Sequence, residues 1–139
     1  MKPMKKLSEN FTVEELTQSD TAERLGIDNT PDADSLENLQ FLVDNVLQPL
    51  RDMYGRPIVV NSGYRCPKLN KAVGGSKTSQ HMKGQAADIT AGSKAENKEL
   101  FNLVLDNDLI FDQLIDEKNY SWIHISYNQD RNRQQILHL

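Results

Sequence analysis

The stretch Ser79–Asp88, SQHMKGQAAD, places a histidine and a carboxylate around a small-residue turn and hands the chain into a strand. His81 offers an imidazole nitrogen and Asp88 a carboxylate oxygen, two donor types that suit a divalent metal such as zinc. A third donor stands at His124, in SWIHISY, where alternation puts Trp122, His124 and Ser126 on one strand face and Ile123 and Ile125 on the other. Two histidines and one carboxylate leave a tetrahedral ion one open position for water, the arrangement of a catalytic rather than a structural zinc. Spacing alone does not decide it. A His near an Asp is common on loops, and a strand-face His serves as often as a hydrogen-bonded packing residue.

Working outward, the chain predicts helices first and strands later. Residues 12–25 read as one short helix, with Thr12 and Glu15 forming a capping box and Gly26 ending it. The loop IDNTPDAD (27–34) reads as a solvated connector carrying turn residues Asn29, Pro31 and Asp32. From Asp34, a plausible N-cap, to Tyr54, apolar residues recur at helical spacing: Leu36, Leu39, Leu42, Val43, Val46, Leu47, Leu50 and Met53. Pro49 lies inside this scaffold helix and should bend or split its last turns. Pro57–Val60 reads as a short strand, Pro67–Val73 as one or two helical turns ended by Gly74-Gly75, and Gln85–Thr90 as a second strand. Ser93 and Glu96 form a second capping box, opening a helix with Ala95, Leu100, Leu103 and Val104 on its apolar stripe. Phe111–Asp116 and Ser121–Tyr127 read as a hairpin, and Gln134–Leu139 as an added edge strand. The expected fold class is α+β, a small antiparallel sheet packed by helices, in a single domain over 1–139.

Composition narrows the function. A net charge of -4 and a pI near 5.3 argue against a nucleic-acid surface, for which a clustered basic face would be needed. The single Cys66 excludes an intramolecular disulfide, and a small buried thiol is a better reading of it than a nucleophile. The basic opening MKPMKK is followed by LSENFTVEEL rather than by an apolar run, so neither a signal peptide nor a membrane span is expected. Nothing in the chain asks for more than a monomer.

The pattern Ser79-x-His81-x-x-Gly84-x-Ala86-x-Asp88, followed by Trp122-x-His124, resembles the zinc signature of the M15 peptidases. The resemblance extends over SGYRCPKLNKAVGGSKTSQH (62–81), FDQLI (111–115) and the opening from Leu7 to Pro31, nearly the whole chain. It implies a hedgehog/D-Ala-D-Ala peptidase-like fold and Zn2+ held by His81, Asp88 and His124. It also implies hydrolysis of peptidoglycan stem peptide next to a D-amino acid, as a D-Ala-D-Ala carboxypeptidase or an L-Ala-D-Glu endopeptidase. Arg65, in SGYR, matches an arginine that contacts substrate oxygen, Ser79 resembles a substrate-contacting serine, and Gln113 is a further substrate-side candidate. Relatives often carry the general base three positions before the last metal histidine, but here that position is Ser121. The nearest acids are Glu117 and Asp116, and Glu117 is preferred because the branch sharing FDQLI tends to carry Glu there. A cell-wall hydrolase made without an export signal would be cytoplasmic as synthesised and released by lysis, in the manner of a phage or prophage endolysin.

Two other classes compete. A wall-binding module on the same fold that has lost catalysis is supported by the Ser121 departure alone. Two histidines and a carboxylate also describe a non-haem iron oxygenase, which usually keeps its first His and acid almost adjacent, on a barrel of many more strands. Trp122 reads equally as cleft wall or core, and His138 as a solvated tail residue.

Overall fold

A computed structural model describes residues 5–139; of the opening MKPMKK, residues 1–4 lie outside the described ones. The segment expected as one helix over 12–25 is two, α1 (Val13–Thr17) and α2 (Asp20–Leu25). Thr12 caps α1 by accepting the Glu15 N–H at 3.2 Å, but Gln18 turns extended and Ser19 restarts the helix by accepting the Ala22 N–H at 3.1 Å. A serine hydroxyl offers the backbone an N-cap that competes with continuing the helix, and here the cap wins.

The loop that follows is not merely solvated. Asn29 is buried, donating to the Thr17 and Tyr64 carbonyls and accepting the Cys66 N–H at 2.8 Å, so it ties α1 to the segment around Tyr64–Cys66.

The scaffold helix is capped two residues earlier than expected, because Asp32, not Asp34, accepts the Ser35 N–H at 2.8 Å. It runs as α3 (Ala33–Leu42), a π-helical turn (Val43–Leu47) and α4 (Gln48–Tyr54), closed by Gly55 at a φ of 73°. Pro49 explains the wide turn. Its ring would press on the carbonyl four residues back, and opening the preceding turn relieves that contact while the apolar face stays buried. Leu39, Leu42, Val43, Val46, Leu47 and Leu50 are all fully buried on that face.

The strands are β1 (Val59–Ser62), β2 (Ala86–Thr90), β3 (Gln113–Glu117), β4 (Trp122–Ser126) and β5 (Gln135–His138). β1 lies two residues beyond the expected 57–60, since Pro57 has no N–H to give a ladder and pairing begins at Val59 opposite Thr90. The remaining helices are α5 (Pro67–Ala72) and α6 (Lys94–Asp106), with a short 3-10 turn at Gln80–Lys83. Five strands form one sheet in the order β1-β2-β4-β3-β5, antiparallel except for the parallel pair β3–β5. β5 sits at the edge, as its position in the sequence suggested.

One sheet face carries Ala87, Ile89, Leu114, Ile123 and Ile125, buried against α3–α4 and against Leu100, Phe101 and Val104 of α6. At about 1.5–3 kcal/mol per large apolar side chain, this layer holds the fold. The other face is left for polar side chains. Among the described residues, no helix is long and apolar enough to cross a membrane.

Candidate metal centre and cleft

Register brings the donors together. Asp88 on β2 stands directly opposite His124 on β4, so the two side chains leave the sheet side by side on its open face. His81 comes from the 3-10 turn that delivers the chain into β2, and that turn is closed by Gly84 at a φ of 73°. Donor atoms of His81, Asp88 and His124 all lie within 4.8 Å of one another. His81 Nε2 is 3.3 Å and His124 Nδ1 3.0 Å from the same carboxylate oxygen, Asp88 Oδ1.

The imidazole of His81 is aimed by the backbone. Its Nδ1 lies 2.7 Å from the Gly63 carbonyl, an acceptor only, so Nδ1 donates and Nε2 turns its lone pair toward Asp88. The ring is 3% exposed and cannot turn to water. Lone pairs of a neutral imidazole and a carboxylate at such distances repel unless a proton or a cation lies between them. Donors about 2.0–2.2 Å from a tetrahedral ion stand about 3.3–3.6 Å apart, close to the spacing of the His81–Asp88 pair. The residues present therefore fit a small divalent metal.

Burial alone would raise the Asp88 pKa, but the groups set against it, the His124 hydrogen bond foremost, outweigh burial and hold the carboxyl well below its usual range. Arg65 adds a cation from the β1 side. Its Nη2 is 3.4 Å from Asp88 Oδ2, while Nε donates to Ser62 Oγ and Nη1 to Asn70 Oδ1. Its guanidinium is largely buried, which lowers its pKa against the opposing pull of Asp88. A carboxylate that remains ionised is the form that can ligate metal.

Beside the centre, on the β3 side, lies a cleft of about 380 Å³ lined by His124, Glu117, Gln113, Ile115, Ser79 and Arg133 among others. β3 pairs with β4 so that Ile115 faces His124 and Glu117 faces Trp122. Glu117 therefore shares the face of His124, about 7 Å along the strand at 3.3 Å per residue. Asp116 pairs with Ile123, points to the core side and binds His138 Nδ1. His138 is mostly exposed, as expected of a solvated tail residue, and from there its ring lies 5.7 Å from Phe101 and meets that buried acid.

The remaining expected residues divide between two duties. Ser79 lines the cleft, and its hydroxyl accepts the His81 N–H at 3.2 Å, stiffening the turn. Gln113 lines the cleft too, but its amide nitrogen is spent on Gln135 at 2.7 Å. Ser121, where relatives often carry an acid, donates instead to the Lys118 carbonyl within a hairpin whose Lys118, Asn119 and Tyr120 all have positive φ. Cys66 caps α5, its sulfur accepting the Leu69 N–H.

Three supports were not singled out from sequence. Gly63 provides the carbonyl behind His81; a Cβ there would lie 2.2 Å from the Leu16 carbonyl oxygen, so only glycine allows the approach. Asn70 holds the Arg65 guanidinium and the Ser76 carbonyl. Asp112 binds Gln80, the residue before His81, as well as Arg133. A glycine at the end of a strand was the one available signal for the first; the other two look like ordinary polar residues until the fold joins them.

The fold and site together define a small α+β domain with a His–Asp–His metal-type cluster beside a polar cleft. The Peptidase M15 family model matches residues 9–126, and the chain belongs to that family. The zinc D-Ala-D-Ala carboxypeptidase of Streptomyces albus G is 49% identical over 49 residues, which make up 34% of this chain and 19% of that relative. The chain thus spans about a fifth of the length of the curated relative it matches.

Proposed function

We propose that the chain is a zinc-dependent peptidase that cleaves peptidoglycan stem peptide at a bond next to a D-amino acid. The observation that carries this reading is the facing pair Asp88–His124, completed by His81 and flanked on the same sheet face by the carboxylate of Glu117. The name of the Streptomyces relative and the chain's own family support the metal and the substrate class. His81, Asp88 and His124 hold the zinc, which when bound supplies Lewis acidity and makes water acidic enough to react near neutral pH.

The chain's own residues do the rest. Glu117 takes the proton of the attacking water on its carboxylate and passes it to the leaving amine, a role worth about 10²–10⁴-fold in rate. Its place on the site face favours it over Asp116, which is turned into the core side and occupied by His138. Arg65, anchored by Ser62 and Asn70, presents its guanidinium at the β1 side to the oxygen that gains charge. Ser79 and Gln113 form the polar wall along which the peptide backbone lies.

The test pairs metal content with turnover. Purified wild type should hold about one zinc per chain by mass spectrometry and split stem peptides on chromatography, either releasing D-alanine or cutting before D-glutamate. His124→Ala should lose the metal, and Glu117→Gln should keep it while losing about 10²–10⁴-fold in kcat. Zinc without cleavage of any stem peptide would favour a wall-binding module, and no zinc in fresh wild type would sink the ligand assignment.

A further inference from the structure

Among the described residues, the cleft on the β3 side of the metal centre is lined by one lysine or arginine, Arg133. It enters from the segment leading into β5, far in sequence from the donors. Its Nε and Nη2 grip the two oxygens of Asp112 at 2.8 and 2.9 Å, and its backbone N–H adds a third bond to the same carboxylate at 2.9 Å. Asp112 is almost wholly buried, its side chain 5% exposed, and also accepts from Gln80 Nε2 at 2.8 Å. Its carboxylate is thereby fully engaged inside the clasp.

The arginine is not. Its side chain remains 48% exposed, and among the described residues its Nη1 makes no hydrogen bond. A planar fork clamped along one edge presents the other edge in a set direction, so a second carboxylate could be taken up with little loss of side-chain freedom. Glu117 stands at the last residue of β3, beyond Ile115 and His124, and repels acids there, whereas Arg133 is held beside the start of β3 by Asp112, which makes that end the place for one. Arg65, bound to Asp88, lies on the far side of the centre and serves the reacting oxygen in the reading above.

Resting on that peptidase reading, we propose that Arg133 is a specificity residue, selecting stem peptides that carry a free carboxylate on the residue seated on the β3 side of the metal. The D-glutamyl residue of the stem, linked through its side chain, bears such a group; its amidated counterpart, D-isoglutamine, does not. A clasp that served the fold alone would be indifferent to this difference.

Two synthetic peptides decide the matter, L-Ala-γ-D-Glu-L-Lys-D-Ala-D-Ala and its D-isoglutamine form, both with free C-termini, so that they differ by one carboxylate and either scissile bond can be cut. Binding is measured by calorimetry on the zinc-loaded Glu117→Gln protein, and cleavage on the zinc-loaded wild type. The acidic peptide should bind about tenfold more tightly, and adding Arg133→Gln should erase that preference by weakening the acidic peptide alone. Arg133→Lys, which keeps the cation without the fork, should keep part of it and serves if the glutamine variant does not fold.

Equal binding of both peptides to the parent protein, an equal loss for both in the variants, or binding of neither would overturn the proposal. Acid-selective binding that vanishes with Arg133, without cleavage of either peptide by wild type, would uphold it while removing the peptidase reading. Cleavage of both peptides at equal kcat/KM, with no binding preference, would do the reverse.

Discussion

Asp112 is a single residue on which two parts of the site depend. It receives Arg133 through N, Nε and Nη2 and Gln80 through Nε2, and the Arg133 bonds, with Gln80 adding to them, hold its carboxyl below the usual range against the opposing effect of burial. A carboxyl depressed on folding stabilises the protein fully above its unfolded pKa of about 3.9, and that contribution is lost as pH falls through the folded value. Asp112→Asn should therefore cost on the order of 1–2 kcal/mol at pH 7, and the gap to wild type should close below about pH 4. Urea unfolding of both proteins from pH 7 down to pH 3 measures it; a gap that stays constant would mean that the charge on Asp112 is not what the clasp uses. Sequence offered His81, Asp88 and His124 as donors because imidazole and carboxylate chemistry is intrinsic to the residue, and the resemblance to the M15 zinc signature singled them out as a set. It gave Asp112 no duty, since an aspartate acquires one only from what folding sets against it.

At the scale of the element, the turn after β1 is where glycine is indispensable. Gly63 lets its backbone pass the Leu16 carbonyl so closely that a Cβ would lie at 2.2 Å, and its own carbonyl orients His81. Gly63→Ala should force α1 and β1 apart, costing about 1–3 kcal/mol, and should loosen metal binding although no ligand is touched. Denaturant unfolding and competition with a chromogenic chelator read the two effects; a stable variant with unchanged zinc affinity would refute the link. Helix and strand types were legible in the apolar periodicity, and the Ser93 capping box holds, with Ser93 accepting the Glu96 N–H at 3.2 Å. Element edges were less so. The break at Ser19, the earlier cap at Asp32 and the π-turn before Pro49 each arise from local competition for backbone hydrogen bonds, and periodicity is blind to it.

For the whole molecule, the donors stitch separate pieces of chain: the turn before β2, β2 itself and β4, whose His124 comes 36 residues after Asp88. Metal bound by the folded state alone stabilises by RT ln(1 + [Zn]/Kd), about 4 kcal/mol at a thousandfold excess over Kd. Chelator treatment should thus lower the melting temperature by about 10 °C or more, with recovery on adding zinc and no response in His124→Ala. Calorimetry with and without chelator checks this, and a wild-type melt indifferent to metal would count against a zinc centre at this position.

What the sequence determined by itself was everything intrinsic to residue type and short-range order: the α+β class, the donor chemistry of His81, Asp88 and His124, and the alternation that sets His124 apart from Ile123 and Ile125. Tertiary structure alone decided which groups meet. Strand register put Asp88 opposite His124 and turned Glu117 toward them but Asp116 away, because adjacent residues on a strand face opposite sides of the sheet. It also brought Arg133 to the cleft and His138 to Asp116, since parallel pairing of β5 with β3 joins segments that no local signal connects.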